Sequence, residues 1–194
     1  MTKRIAIIQG HPDPEGGHLC HALADAYAEG ARRNGHEVET IDVAALSFPL
    51  LRTESAFDHD APPADIAAAQ TTIEWADHLL IVYPLWLGAM PALLKGFFEQ
   101  TFRPGFAVAS REDRIPKPLL RGRSARIVVT MGMPSLIYRW VYSAHSLRNL
   151  ERSILKFAGF SPNRHTLFGG VGVAQPATRA RWLEKMGALG ARAR

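Results

Sequence analysis

Five short runs suited to buried or half-buried strands recur along the chain, and each is followed by a segment with helical spacing. That alternation constrains the fold of the 194 residues more than any other feature. The runs are Arg4–Gln9, Glu37–Asp42, Leu79–Tyr83, Ala125–Thr130 and His165–Phe168. The first helical segment is His18–Asn34, where Leu19, Leu23, Ala26 and Tyr27 recur at helical spacing and Gly35 supplies a stop. The others are Ala64–Trp75, Pro91–Thr101, Trp140–Ala158 and Pro176–Gly190. Strand–helix–strand units of this length join parallel strands through right-handed crossovers. The expected architecture is therefore α/β, a three-layer doubly wound sandwich around a five-stranded parallel sheet. Strand order does not follow from the alternation. A single domain over residues 1–194 is expected, because a chain of this length with 47% hydrophobic residues fills one core rather than two.

Composition removes several classes of function. Cys20 is the one cysteine, so an internal disulfide is excluded and a reducing, cytoplasmic setting is expected. Met1-Thr2-Lys3-Arg4 leads directly into an apolar strand, with no signal-peptide core and no run long enough to span a bilayer. The formal charge of +5 gathers at 111–126 and 179–194. Neither helix-turn-helix nor basic-aromatic interleaving accompanies it, so a solvated basic surface is expected and nucleic-acid binding is not. A phospho-receiver domain shares the architecture but needs acidic residues where this chain has Gln9-Gly10-His11 and Tyr83-Pro84. A serine-hydrolase elbow, G-x-S-x-G, is absent. His11, His18 and His21 lack the carboxylate or cysteine pattern of a zinc site, although Cys20 is adjacent.

Three loops fall where the carboxyl ends of strands should lie, which is where open parallel sheets bind ligands. The first is Gly10-His11-Pro12-Asp13-Pro14-Glu15-Gly16-Gly17-His18, a strand-to-helix turn. Free amides at a helix start suit a phosphate, and the two histidines add donors. A flexible turn with two surface histidines is the plainer alternative. The second loop, Leu85 to Met90, follows Pro84, which ends the third strand, and precedes Pro91, where a helix starts. An exposed Trp86-Leu87 pair there suits a planar aromatic ligand, the alternative being that Trp86 covers the core. The third, Thr130-Met131-Gly132-Met133-Pro134-Ser135, offers a hydroxyl and a close backbone approach. Tyr138 and His145 both carry proton-donating side chains. On one unbroken helix they would share a face about 10 Å apart. The connections at 47–63 and 105–123 are longer than ordinary loops and are expected to cover a site or a partner.

Taken together, these residues resemble the flavodoxin-like NAD(P)H:quinone oxidoreductases, a group that includes modulator-of-drug-activity proteins and ancillary subunits of potassium-efflux systems. The most specific part runs from Pro84-Leu85-Trp86 through Met90-Pro91-Ala92-Leu93-Leu94-Lys95-Gly96-Phe97-Phe98-Glu99 to Pro104-Gly105-Phe106-Ala107. Gly10-His11-Pro12, Thr130-Met131-Gly132, Tyr138 and Ala158-Gly159-Phe160 support it. The resemblance implies a flavodoxin-like fold and a non-covalent flavin, FAD or FMN. It implies that Pro84, Leu85, Trp86, Leu87 and Gly88 border the flavin ring, and that Thr130, Met131, Gly132 and Met133 face its pyrimidine edge. It implies that His11, His18, Leu19 and Cys20 hold the phosphate region, and that Phe106 walls the pocket. It also implies ping-pong hydride transfer from NAD(P)H through flavin N5 to a quinone-like acceptor, with Tyr138 and His145 bonding the acceptor oxygen, in a homodimer.

The chain departs from that family in three places. His18-Leu19-Cys20 stands where a serine followed by Phe-Asn is common, Met133-Pro134 replaces a second glycine, and His145 is offset by one residue. The alternatives to a freestanding enzyme are a flavin-bearing regulatory or ancillary subunit of a membrane transport system, and a flavin-free α/β binding domain.

Overall fold

The computed structural model describes residues 1–109 and 117–194. The middle of the expected 105–123 loop and the start of the 111–126 basic stretch lie outside the described residues. The strands are β1 (Arg4–Gln9), β2 (Glu37–Asp42), β3 (His78–Pro84), β4 (Ser124–Thr130) and β5 (Asn163–Phe168). They form one sheet in the order β2-β1-β3-β4-β5, with every neighbouring pair parallel. The helices are α1 (Leu19–Arg33), α2 (Glu54–Asp58), α3 (Ala64–Trp75), α4 (Ala92–Thr101), α5 (Ser135–Trp140), α6 (His145–Asn149) and α7 (Pro176–Gly190). The connection at 47–63 is thus not structureless: the side chain of Thr53 accepts from the Ala56 amide and caps α2.

Side chains on adjacent strand residues point to opposite faces, and the two cores follow that rule. Ile5, Ile7, Leu80 and Val82 face one way and pack with Leu23 and Tyr27 of α1 and Met186 of α7. Ala6, Ile8, Leu79, Ile81 and Tyr83 face the other way, against Ile66 and Ile73 of α3, Leu94 and Phe97 of α4 and Leu147 of α6. Each fully buried aliphatic side chain contributes on the order of 1.5–3 kcal/mol. The α1–α7 pair approaches closely because of glycine. A Cβ on Gly30 would sit 2.1 Å from the Gly187 carbonyl oxygen, and one on Gly190 2.0 Å from that of Tyr27.

The expected helix Trp140–Ala158 is corrected. Helix α5 begins at Ser135, and the chain breaks after Trp140, where Ser143 and Ala144 take φ values of 51° and 47°. It resumes as α6 and runs into a π-helical stretch, Leu150–Lys156. The break is held by tertiary bonding. The Leu147 amide, one of the donors a helix start leaves unpaired, donates to the Tyr138 hydroxyl at 3.2 Å. That hydroxyl also lies 2.8 Å from Ser146 Oγ. Tyr138 and His145 therefore do not share one continuous helical face.

The amino end of the sheet is sealed. His78, only 1% exposed, has Nδ1 2.7 Å from Ser124 Oγ and stacks on Tyr27. Burial, reinforced by the positive field of Lys3, Arg126 and Arg164, pushes its pKa down to about 3. Buried Arg126 donates to the Arg194 carbonyl at 2.5 Å and to Thr166 Oγ1 at 2.7 Å.

Candidate functional site

The strand order reverses direction between β1 and β3, so the loops leaving those strands diverge and open a crevice at their carboxyl ends. A cleft of about 340 Å³ lies there. Its walls come from the three loops expected from the sequence: His11, His18, Leu19 and Cys20 from the first; Pro84, Leu85 and Trp86 from the second; Thr130, Met131 and Gly132 from the third. Val171 and Gly172, after β5, complete it. Those two escaped the sequence reading. The signal was Gly169-Gly170 directly after a strand, the same punctuation that marked the other loops. A wider groove of about 960 Å³ runs along the outside of α1 and α7, away from every strand end, and is lined by helix surface such as Asp25, Glu29 and Arg33.

Local bonding fixes the walls. The Leu85 amide donates to the Thr130 carbonyl at 2.8 Å, extending the β3–β4 ladder into the cleft floor. Beyond it, Trp86 and Ala89 exchange backbone bonds of 2.9 Å and pinch off a tight loop. That loop places Leu87 at φ 47°, an unfavourable conformation for a branched residue, and leaves its side chain in solvent. At the first loop, Gly10 has no room for a side chain: a Cβ would sit 2.6 Å from a Leu94 methyl and 3.1 Å from the Val82 carbonyl oxygen. At the third, a Cβ on Gly132 would meet nothing within 4 Å, so the backbone there lies open to the cleft. At the start of α1, His18 makes no side-chain cap, and the first amides to bond back into the helix are those of His21 and Ala22. The Leu19 and Cys20 amides, which precede them, have no partner inside the helix and lie at its positive end, a place suited to an anion.

The first loop is rich in imidazole. His11, 7% exposed, stacks on His18 with centroids 3.9 Å apart and meets the edge of the Trp86 ring at 6.1 Å. Burial lowers the His11 pKa, and the neighbouring His18 and His21 lower it further. His18 Nε2 lies 2.7 Å from Asp13 Oδ2, and that hydrogen bond holds the Asp13 carboxyl below its ordinary range. Cys20 is buried, with Sγ 3.2 Å from Thr130 Oγ1. Burial pushes its thiol up to about 11, so it is neither a nucleophile nor a charge at neutral pH.

The other expected site residues stand outside this wall. Leu87 and Gly88 project beyond it, and Met133 lies past the Gly132 edge. Phe106 packs at the rim of the core near Phe102. Tyr138 is buried with its hydroxyl engaged, and His145 is exposed at the start of α6. Among the described residues no group of histidine, cysteine and acidic side chains could hold a metal, and no helix is long and apolar enough to cross a membrane.

The sequence profile of the flavodoxin-like fold family matches residues 3–189. Among curated proteins, NAD(P)H dehydrogenase (quinone) 1 of Cavia porcellus is 29% identical over 93% of this chain and 74% of its own length. The FMN-dependent NADH:quinone oxidoreductase of Ruegeria pomeroyi is 30% identical over 69% of this chain and 72% of its own length. A ribosyldihydronicotinamide dehydrogenase-like protein of Penicillium crustosum is 28% identical, and the match spans 57% of that protein's length. A Streptococcus mutans crystal structure superposes with a TM-score of 0.76 at 26% identity, covering 97% of this chain and 99% of that one.

Proposed function

Because the chain belongs to the flavodoxin-like fold family, we propose that its cleft holds a flavin and that the protein is an NAD(P)H:quinone oxidoreductase. The observation that carries this reading is the convergence of open backbone with aromatic and imidazole side chains at one sheet edge. The names of the Cavia porcellus and Ruegeria pomeroyi relatives support the chemistry and, in the second case, FMN as the cofactor.

The residues present fit the group. The cleft volume of about 340 Å³ lies within the range of small-molecule sites, roughly 300–1,000 Å³. The Leu19 and Cys20 amides and the neighbouring imidazoles would take the phosphate. Trp86 would lie against the ring, and the Gly132 backbone would approach its polar edge without steric hindrance. Bound there, a flavin supplies the site that accepts a hydride from NAD(P)H and passes it to the quinone. The overall change is NAD(P)H plus quinone plus a proton giving NAD(P)⁺ plus hydroquinone. Open amides aimed at the ring's pyrimidine edge would favour the charge that develops on reduction.

We assign Tyr138 a positioning role, since its hydroxyl caps α6 rather than facing the cleft. His145 is exposed and can meet an acceptor from an adjoining subunit. We further propose a homodimer. Leu136, Trp140 and Val141 are 63%, 77% and 73% exposed, and Ile137 and Tyr142 beside them in the chain are exposed too, a concentration of large apolar side chains in solvent that a second copy of the chain would cover. A lone buried cysteine suits a cytoplasmic enzyme.

Purified protein should be yellow or become so on adding FMN, run as a dimer, and oxidise NADH or NADPH when a soluble quinone is supplied. Failure to bind either FMN or FAD on reconstitution would overturn the reading. Flavin binding without quinone turnover would favour an ancillary subunit instead.

A further inference from the structure

Charge is unevenly divided along the chain. Residues 114–183 carry twelve lysines and arginines and one acidic residue, Glu151, whereas the rest of the chain carries eleven and seventeen. Glu151 is occupied, with Oε1 2.8 Å from His165 Nδ1. Some of the twelve are occupied as well. Arg126 is buried, and Arg123 donates to the carbonyls of Ala76 and Glu74. Arg148, Arg152 and Lys156 are not. All three are exposed, and among the described residues their side chains make no hydrogen bond or ion pair. By contrast, Arg4 is paired with Asp77, Arg33 with Glu29 and Lys95 with Glu99.

The three cations fall four residues apart on α6 and the π-helical stretch that continues it. Four residues slightly exceed one turn of an α-helix and fall slightly short of one turn of a π-helix, so the side chains share one face. Leu147, Leu150 and Leu155 of the same segment are buried and hold its other face against the core. Phe157, 49% exposed, follows Lys156 at the end of the row. We propose that Arg148, Arg152 and Lys156 form a docking surface for an anionic lipid bilayer, which the protein touches without crossing.

Charge selects the occupant. A second copy meeting this row across a two-fold axis would set like charge against like, which opposes association. The dimer contact proposed above uses α5 and does not need the row. The partner must therefore be acidic. Three long, unpaired side chains on the outside of a helix respond to charge density more than to the outline of one partner, and an anionic leaflet offers that density over a plane. Each lysine or arginine held near such a surface is worth about fivefold in partitioning, and the attraction falls off within a Debye length. Phe157 adds an apolar side chain able to enter the headgroup layer. On the reading that the acceptor is a quinone, docking there also brings the enzyme to the phase in which apolar quinones dissolve. The docking itself needs no flavin.

The test sediments the full chain with vesicles of phosphatidylcholine alone and with vesicles of an equal mixture of phosphatidylcholine and phosphatidylglycerol. At about 0.05 M salt the mixed vesicles should bind at least about tenfold more tightly, and at about 0.5 M salt the difference should vanish. Replacing both arginines, Arg148→Gln with Arg152→Gln, should weaken binding to the mixed vesicles about 25-fold, and Arg148→Glu with Arg152→Glu should weaken it further. Both positions are exposed, so the melting temperature and the reduction of a soluble quinone should hold. Equal binding to the two kinds of vesicle, or binding that the paired substitutions leave unchanged, overturns the proposal. Binding to soluble polyglutamate as tight as to the mixed vesicles also overturns it, in favour of an acidic protein. None of these results bears on the flavin, whose presence is read separately from the visible spectrum.

Discussion

The two ends of the parallel sheet use histidine in opposite ways. At the carboxyl end, His11 lies under a cleft, stacked on a second imidazole and within reach of a third, with a ring nitrogen left for a ligand. At the amino end, His78 is bonded to Ser124, covered by Tyr27 and set among positive charges. Burial disfavours the charged form at both. What differs is access. His11 lines an open cleft, whereas His78 is covered on every side the fold presents to it. The carboxyl end is thus where changes should alter binding, and the amino end is where they should alter folding.

Acid offers the largest test of that division. His78 is held neutral when folded and is free to protonate when unfolded, so its contribution is complete above the unfolded pKa near 6.5 and is lost as pH falls toward its folded pKa of about 3. At pH 4 the loss should reach up to about 3 kcal/mol. Urea midpoints at pH 7 and pH 4 measure it, and His78→Leu should reduce the difference. An unchanged acid limb in the variant would mean that the amino end is not sealed as described. Next in size, Gly132→Val should weaken FMN binding about a hundredfold, roughly 2.7 kcal/mol. A side chain there enters open space, so the melting temperature should hold. A large drop in melting temperature would blur the contrast between the ends.

Tyr138→Phe comes third. Loss of the bond that caps α6 should cost about 1 kcal/mol of stability, with quinone reduction unchanged. A fall in hydride transfer of a hundredfold or more would instead return Tyr138 to the acceptor site. The smallest expected effect is at Cys20. Its thiol, pushed up to about 11 and covered by Thr130, should resist iodoacetamide at pH 8 until the chain is unfolded. Rapid labelling of the native protein would show that the cleft floor opens.

Much of this was legible in the sequence because it depends on local pattern. The bounds of β1, β2, α3 and α7 match the strand and helix periodicity residue for residue. Proline and glycine after β1, β3 and β4 marked the loops that converge on the cleft. The break between α5 and α6 was not legible, since Val141-Tyr142-Ser143-Ala144 contains neither glycine nor proline. It depends on a tyrosine hydroxyl reaching a helix start nine positions away. The wall at Val171 and Gly172 depends on strand order, which alternation does not reveal: β5 lies beside β4, so its loop reaches the same edge. His21 was visible as a histidine one turn after His18, but its approach to His11 is a product of the folded loop.

The single bond from the Leu85 amide to the Thr130 carbonyl has a dynamic consequence. It continues the ladder of two central strands, so it breaks only when those strands separate. Proton exchange with solvent at the Leu85 amide should therefore be as slow as at the interior of β3, while two residues on, at Leu87, it should be fast. The floor of the cleft thus stays rigid while its rim moves, so a flat ligand can be admitted over the Trp86 loop without disturbing the surface it comes to rest on.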